Sequence, residues 1–308
     1  MTAFNKKSGG ILAAILAVII LFVSAVLYEN GIITEDLYLK ILSATENSVT
    51  ESSDVEVHFI DVGQAECILI KAPQKTVLID AGNIGCEKEI ENYLRSNGVY
   101  VVDIFIATHP HSDHIGSAAE IVKSFPIGET IIPKVPEEYL PTTSLFENLL
   151  RALSEKKCSV SYSKAGTVFE LGGGATLKIL GPDGYSGDNL NNYSIVSKLS
   201  FGETSFLFTG DAEKEIESAL ISSGEDLSCT VLNAGHHGSS TSNSALFLKA
   251  ATPKYVAISC GYNNDYGHPH RETIASFKDF GIEYYRTDYD GNIVFRSDGK
   301  EIRVSTEK

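Results

Sequence analysis

The sequence predicts an α/β protein of four layers, two sheets packed face to face with helices on both outer sides, behind an N-terminal transmembrane helix. Three observations carry this prediction. From residue 54 onward, short apolar runs alternate with amphipathic ones, the pattern of strands and helices that share a layered core. Two of the apolar runs, 101–107 and 206–208, stop at loops rich in metal-ligand side chains, led by His109 and Asp211. Residues 11–28 read ILAAILAVIILFVSAVLY, uncharged throughout and near the lower limit for a helix that crosses a bilayer.

Lys6 and Lys7 precede that run and Glu29 follows it, and positive charge on the amino-terminal flank keeps the N-terminus in the cytoplasm. The rest of the chain is then extracytoplasmic, tied to the cell membrane by a single pass. A cleaved signal peptide is the rival reading, because Val23-Ser24-Ala25 resembles a cleavage site, and it would make the protein secreted. Residues 1–28 form the membrane segment, 29–53 a polar linker and 54–308 the folded domain. With 308 residues and 43% apolar content the chain can build one large domain, and no internal repeat is visible. The five cysteines have no Cys-x-x-Cys spacing and are odd in number, which argues against a zinc ribbon and a complete disulfide framework. After Tyr28 the chain keeps 23 basic and 40 acidic residues, a net charge of -17. That balance weighs against broad electrostatic capture of nucleic acid, but not against a phosphate substrate where divalent cations reverse the local charge.

In chain order, strands are expected over 55–61, 67–71 and 76–80 as a meander. Asp61-Val62-Gly63-Gln64-Ala65-Glu66 joins the first two, and Asp61 and Gln64 suit a hydrogen-bonded turn as well as catalysis. Asp80 stands at a strand end before Gly82. A helix over 87–97 places Ile90, Tyr93 and Leu94 on one face and stops at Gly98. The strand over 101–107 then enters Thr108-His109-Pro110-His111-Ser112-Asp113-His114, three histidines and an aspartate within six positions. Side chains two apart on an extended segment share a face, so His109 and His111 converge on one point. Asp113 and His114, where a helix to about Ser124 begins, turn toward a second point. Imidazole and carboxylate suit Zn, Mn, Fe or Ni, and two such ions can hold and activate a water.

A strand over 130–132, a Pro-rich loop over 133–141 and an amphipathic helix over 144–157 capped by Ser144 come next, then strands through Val160, Val168 and 177–180. Asn191-Asn192-Tyr193-Ser194 precedes a strand over 195–201. Asp211, in Thr209-Gly210-Asp211, suits a metal ligand and also the N-cap of a helix over 213–222. In Gly235-His236-His237-Gly238-Ser239-Ser240, small residues and hydroxyls are good anion donors for a phosphate. Adjacent side chains on an extended loop point apart, so one histidine faces the metals and the other supports the loop. A helix over 245–250, a strand over 255–259 and Tyr266-Gly267-His268-Pro269-His270 complete the set, with His270 at a helix start or in the pocket. His58, inside a strand, reads as a packed or surface residue, and strands near Tyr284, Ile293 and Ile302 read as sheet edge.

The His-x-His-x-Asp-His stretch resembles the second motif of the metallo-β-lactamase fold superfamily. Asp61-Val62-Gly63-Gln64, Asn191-Asn192-Tyr193-Ser194 and Gly235-His236-His237-Gly238-Ser239 are similar to stretches of the extracellular metallo-β-lactamase-like domain of ComEC competence proteins, which take up DNA. Ala65 and Glu66 replace that family's Gly and Asp. The resemblance implies an αββα sandwich and two divalent ions, Zn or Mn, held by His109, His111, Asp113, His114, Asp211 and His268. Asp211 would bridge both ions, and Asp80 would orient a metal-binding histidine or its loop. Asn191–194 stands where many relatives carry a third metal-binding histidine. Asp113, Asp211, His236 and His237 are the expected catalytic residues, with His236, His237, Ser239 and Asn192 at the substrate. The expected activity is that of a phosphodiesterase or nuclease using a metal-bridged hydroxide, with DNA as a substrate and a competence-type membrane channel as a partner. Two alternatives stand beside it: an esterase of phosphorylcholine or other wall-polymer groups or a lactone hydrolase, and a non-catalytic binding module of a membrane DNA-uptake machine.

Overall fold

Capping and charge at the amino-terminal end produce the first departure from the sequence reading. The computed structural model describes residues 6–49 and 53–308, the backbone alone at 6–15, 44 and 46–49. Helix α1 (Lys6–Glu29) is followed by α2 (Glu35–Val49), inside the segment expected to be a polar linker. The Thr34 hydroxyl accepts from the Leu37 N–H at 3.3 Å, and Glu35 and Asp36 fill the first turn, where the helix dipole favours anions. Tyr28 and Tyr38 stack at 4.9 Å, and Asp36 pairs with Lys156 of the folded domain at 3.0 Å. Of the expected membrane run, the side chains of 11–15 lie outside the described residues. Among the described residues no helix is long and apolar enough to cross a membrane. The described part of α1 leaves Leu16, Val18, Ile19 and Phe22 more than half exposed.

Branched and aromatic residues build the strands, whose inward faces are covered on both sides of the molecule. β1 (Val55–Phe59), β2 (Ile68–Lys71) and β3 (Thr76–Ile79) form the expected antiparallel meander. Helix α3 (Glu87–Ser96) buries Ile90 and Leu94 and leads to β4 (Val102–Ile106), parallel to β3. Helices α4 (Ser112–Ile115) and α5 (Ala118–Ser124) lead to β5 (Ile127–Ile132), and α6 (Ser144–Glu155), capped by Thr143 rather than Ser144, leads to β6 (Ser159–Tyr162). The single helix expected up to Ser124 is split because Gly116 packs against the loop after β3, donating its N–H to Gly82 O at 2.9 Å.

The second sheet opens with the antiparallel strands β7 (Val168–Gly172), β8 (Ala175–Gly181), β9 (Val196–Phe201) and β10 (Thr204–Phe208). Parallel strands β11 (Val231–Asn233), β12 (Tyr255–Ile258) and β13 (Glu283–Arg286) follow, connected through α7 (Lys214–Ser223), α8 (Ala245–Ala251) and α9 (Arg271–Asp279). A short turn, α10 (Thr287–Asp290), returns the chain to the first sheet. There β14 (Ile293–Ser297) pairs with β1, and β15 (Ile302–Thr306) is the edge. β13 and β15 are thus sheet edges as expected, whereas β14 lies inside its sheet.

Phe59, Phe206, Phe208 and Phe295 fill the space between the sheets. Ile90, Phe125 and Leu153 from α3, the end of α5 and α6 cover the outer face of the first, and Ile216, Phe247 and Phe277 from α7, α8 and α9 cover that of the second. The result is the expected α/β arrangement of two sheets packed face to face with helices on both outer sides. Parallel β3 and β4, and parallel β10, β11 and β12, put five carboxyl ends on matching edges, joined where the Ile195 N–H donates to Thr108 O at 3.0 Å.

Candidate metal centre

Those five strand ends supply the polar side chains. β3 leads into Asp80, in the left-handed region (φ 58°) that aspartate tolerates, and its carboxylate turns inward. Oδ1 accepts from the Thr108 N–H at 2.7 Å, and Oδ2 accepts from the Thr108 hydroxyl at 2.6 Å and from His114 Nδ1 at 2.6 Å. His114 is thereby left with Nε2 facing Asp211 Oδ1, 3.2 Å away. β4 delivers His109 and His111, whose Nε2 and Nδ1 stand 3.0 Å apart, as the period of an extended segment predicts.

β10 delivers Asp211. Glu213, not Asp211, is the N-cap of α7, so the Asp211 carboxylate stays in the centre. Its Oδ2 lies 3.8 Å from His109 Nε2 and 3.6 Å from His236 Nε2, and its Oδ1 lies 3.7 Å from His237 Nε2. Asp211 is therefore common to two donor groups whose ligating atoms lie within 4.8 Å of one another: His109, His111 and Asp211, and Asp113, His114, Asp211 and His237.

β11 leads into the His236-His237 turn. Both residues have left-handed backbone, φ 51° and 53°, so the loop is a tight turn rather than the extended segment assumed from the sequence. His237 is buried, donates its Nδ1–H to Ser259 O at 2.9 Å and aims Nε2 at Asp113 Oδ2, 3.3 Å away. His236 stays at the cleft surface, with Nδ1 3.1 Å from Thr241 Oγ1 and 3.5 Å from Glu213 Oε1. His268, expected as the last ligand, lies outside both donor groups, its ring 6.2 Å from that of His237 and 5.3 Å from that of His236. His237 belongs to the second group, whose atoms could hold an ion, and His268 lines the cleft wall beside it.

Two expected substrate contacts point elsewhere. Asn192 is buried against α7, accepting from the Glu213 N–H at 3.1 Å and donating to Glu215 at 3.2 Å, while Asn191 lines the cleft. Ser239 Oγ is buried in its own loop and accepts from the Thr241 N–H at 3.2 Å. Within the Asn191-Asn192-Tyr193-Ser194 stretch, Ser194 Oγ accepts from the Asp211 N–H at 3.0 Å and lies 3.2 Å from His109 Nδ1. Ser194 and Thr108, and the buried pair formed when Asn233 Nδ2 donates to Glu66 Oε2 at 2.9 Å, were not expected in the centre. Their only sequence signal is adjacency to the motifs.

Burial alone would push the carboxyls up and the imidazoles down. Instead the His114 and His237 rings hold Asp211 well below the carboxylate range, and the same two rings, His237 Nε2 at 3.3 Å, hold Asp113 low as well. Against the same burial, Asp211 and Asp80 raise His114 far above the imidazole range, and Asp211 and Asp113 raise His237 to about 9. His109 and His111 follow burial downward, and His268, buried near His236 and His237, falls to about 4. His114 Nε2, Asp211 Oδ1 and His237 Nε2 are buried without a hydrogen-bond partner. Imidazole and carboxylate atoms orphaned around one point fit a divalent cation. Asp211 and His237 line a cleft of about 320 Å³ together with Gln64, Tyr266 and His268.

The profile of the metallo-beta-lactamase superfamily matches residues 60–262. The chain is 31% identical to ComE operon protein 3 of Bacillus subtilis over 268 residues, 80% of this chain and 33% of that protein. It is 28% identical to Competence protein ComA of Neisseria gonorrhoeae, over 76% of this chain and 31% of that one. It thus spans about a third of the length of these relatives. Among solved structures, the metallo-beta-lactamase fold protein YhfI from Bacillus subtilis aligns over 80% of this chain and 100% of its own at 12% identity, with a TM-score of 0.54. CmlA, a diiron beta-hydroxylase from Streptomyces venezuelae, aligns over 77% of this chain and 53% of its own at 16% identity, with a TM-score of 0.51.

Proposed function

Since this chain belongs to the metallo-beta-lactamase superfamily and has relatives among ComEC-type competence proteins, we propose that it is a membrane-tethered, extracytoplasmic phosphodiesterase or nuclease that works with two divalent ions, Zn or Mn. The observation that carries this reading is the convergence of His114 Nε2, Asp211 Oδ1 and His237 Nε2, all buried and all without a hydrogen-bond partner. His109, His111 and Asp211 would hold one ion, and Asp113, His114, His237 and Asp211 the other. When bound, such ions supply Lewis acidity toward phosphoryl oxygens and bring the pKa of water near neutrality.

The chain's own groups do the rest. Asp80 accepts from His114 Nδ1 and so keeps Nε2 free for ligation. Ser194 lies between the His109 ring and the Asp211 backbone, which fixes two donors of the first group against each other. His236 Nε2, at the cleft surface, is placed to give a proton to the leaving oxygen, with Glu213 and Thr241 facing its Nδ1. Lys6 and Lys7 at the start of α1, and the exposed apolar residues along it, support a membrane tether with the folded domain outside.

The formal net charge of -15 favours a second reading, in which the same site removes phosphorylcholine or another small group from a wall polymer. One assay separates the two. The full chain in detergent, loaded with Mn or Zn, is given bis-p-nitrophenyl phosphate, single-stranded DNA and a phosphorylcholine ester, beside Asp211→Ala, with bound metal counted. Cleavage of the diester and DNA by wild type, lost in the variant, supports the nuclease. Cleavage of the phosphorylcholine ester alone supports the esterase. A wild type that binds no metal overturns both and leaves a binding module.

A further inference from the structure

We infer that the rim of this cleft is a shelf of tyrosines, Tyr262, Tyr266 and Tyr289, on which the bases of a single-stranded nucleic acid stack; this rests on the phosphodiesterase reading above. Among the described residues five tyrosines are exposed, these three at 74%, 67% and 57%, and Tyr262 and Tyr266 lie on one loop beside the cleft. Singly scattered apolar side chains need no explanation, but a cluster beside a reactive site does. Tyr266 lines the cleft and stacks on His268, within 22° of parallel at 5.6 Å. Tyr262 and Tyr289 approach to 6.2 Å, and the Arg286 guanidinium lies 4.1 Å from the Tyr289 ring centre.

The loop that carries Tyr262 and Tyr266 is fixed to the cleft wall at both ends. Gln64 Oε1 accepts from the Gly261 N–H at 3.0 Å, and its Nε2 is 3.5 Å from His268 Nδ1. Asn264 clamps the loop internally, donating to Gly261 O at 2.8 Å and His268 O at 2.6 Å and accepting from the His268 N–H at 3.0 Å. Rings displayed on such a loop lose little freedom when a ligand settles on them.

Charge selects the occupant. The chain is acidic, Asp265 lies on the loop between Tyr262 and Tyr266, and Arg286 is already paired with Asp288 at 2.6 Å. Capture of a duplex through its phosphates draws on unpaired cations, and the guanidinium at Tyr289 is held by Asp288. Stacking needs only exposed base faces, which a single strand offers and a duplex keeps inside.

The test uses the Mn-loaded full chain in detergent. Fluorescence anisotropy follows a labelled, cleavage-resistant phosphorothioate oligo-dT and the matching duplex on wild type, Y262A/Y289A and Y262F/Y289F, while wild type is also assayed on bis-p-nitrophenyl phosphate. Wild type should bind the single strand more tightly than the duplex. The alanine pair should lose about a hundredfold, near tenfold per ring, and the phenylalanine pair should stay within about threefold of wild type. Affinity should fall only about threefold between about 50 and about 200 mM salt, the slope for a single neutralised phosphate. Equal binding of duplex and single strand, or an alanine pair that binds like wild type, overturns the shelf. Absence of ester hydrolysis overturns the phosphodiesterase reading instead, and the binding comparison still decides the shelf.

Discussion

Asp80 Oδ2 stands 2.6 Å from His114 Nδ1, with both side chains fully buried. This contact leaves the imidazole a single direction for its other nitrogen, and the rest of the carboxylate is saturated by Thr108. Asp80→Asn keeps the shape and the tolerance for positive φ, but it replaces a charged acceptor with a neutral amide. Residues that orient a metal-binding imidazole typically account for 10–100-fold in metal affinity. We expect Zn affinity of the variant, measured by competition with a chromophoric chelator, to fall by about that factor with the circular dichroism spectrum unchanged. Unaltered affinity would remove Asp80 from the support of the centre.

A second buried contact ties the two sheets below the centre. Asn233 Nδ2 donates to Glu66 Oε2 at 2.9 Å, and Asn233 Oδ1 accepts from the Thr209 N–H at 3.3 Å. Glu66 is 1% exposed, its other oxygen has no partner, and burial pushes its carboxyl up to about 7. Asn233→Ala strands both the carboxyl and the Thr209 N–H, so it should cost about 2 kcal/mol in urea unfolding. A variant as stable as wild type would mean that water replaces the amide without loss.

What the sequence made legible was local. The meander, the helix over 87–97 and the pairing of His109 with His111 follow from periods of 2 and 3.6 within single elements, and the structure has them. The roles that depend on chain reversals were not legible. His236 and His237 alternate only on extended backbone, and at φ 51° and 53° the turn sends His237 inward beside Asp113 and Asp211 and leaves His236 at the cleft surface. Asn191 and Asn192 exchange places for a similar reason, because Asn189 accepts from the Asn191 N–H at 3.1 Å and starts a tight 3-10 turn, Leu190–Tyr193. The helix α2 was hidden because its second half, from Ser43, is polar, while its start is held by a cap, a stacked tyrosine pair and a contact with Lys156.

Away from the centre, Glu56 makes stability depend on acid. The His58 hydrogen bond, stronger than the opposing burial, and the charges of Lys71 and Arg296 hold its carboxyl at about 2 rather than 4.5. A carboxyl lowered on folding stabilises fully above its unfolded value and loses that contribution as pH falls through its folded value. Because the group is only half-buried, screening leaves about 1 kcal/mol. Wild type should exceed Glu56→Gln by about this amount above roughly pH 5, and urea midpoints should converge as pH falls from 4.5 toward 2. A gap that stays constant across this window assigns the effect to packing.

Gly116 sits where the histidine motif meets the loop after β3, and its need for glycine is steric rather than conformational. Its backbone is ordinary, φ -55° and ψ -44°, yet a Cβ would lie 2.3 Å from Ile84 N and 2.4 Å from Asn83 C and Ser112 O. These are backbone atoms, so no rotamer change relieves the clash. The two segments must separate, which strains the bonds from the Ala81 N–H to His114 O at 2.7 Å and from the Gly116 N–H to Gly82 O at 2.9 Å. Overpacking of this kind costs about 1–3 kcal/mol, and here it also displaces Asp113 and His114. We therefore expect Gly116→Ala to lower Tm in the metal-free protein and, in addition, to shrink the rise in Tm on adding Zn, since ligand stabilisation follows affinity. A lower Tm with the full Zn-induced rise would mean that this corner holds the fold together without positioning the donors.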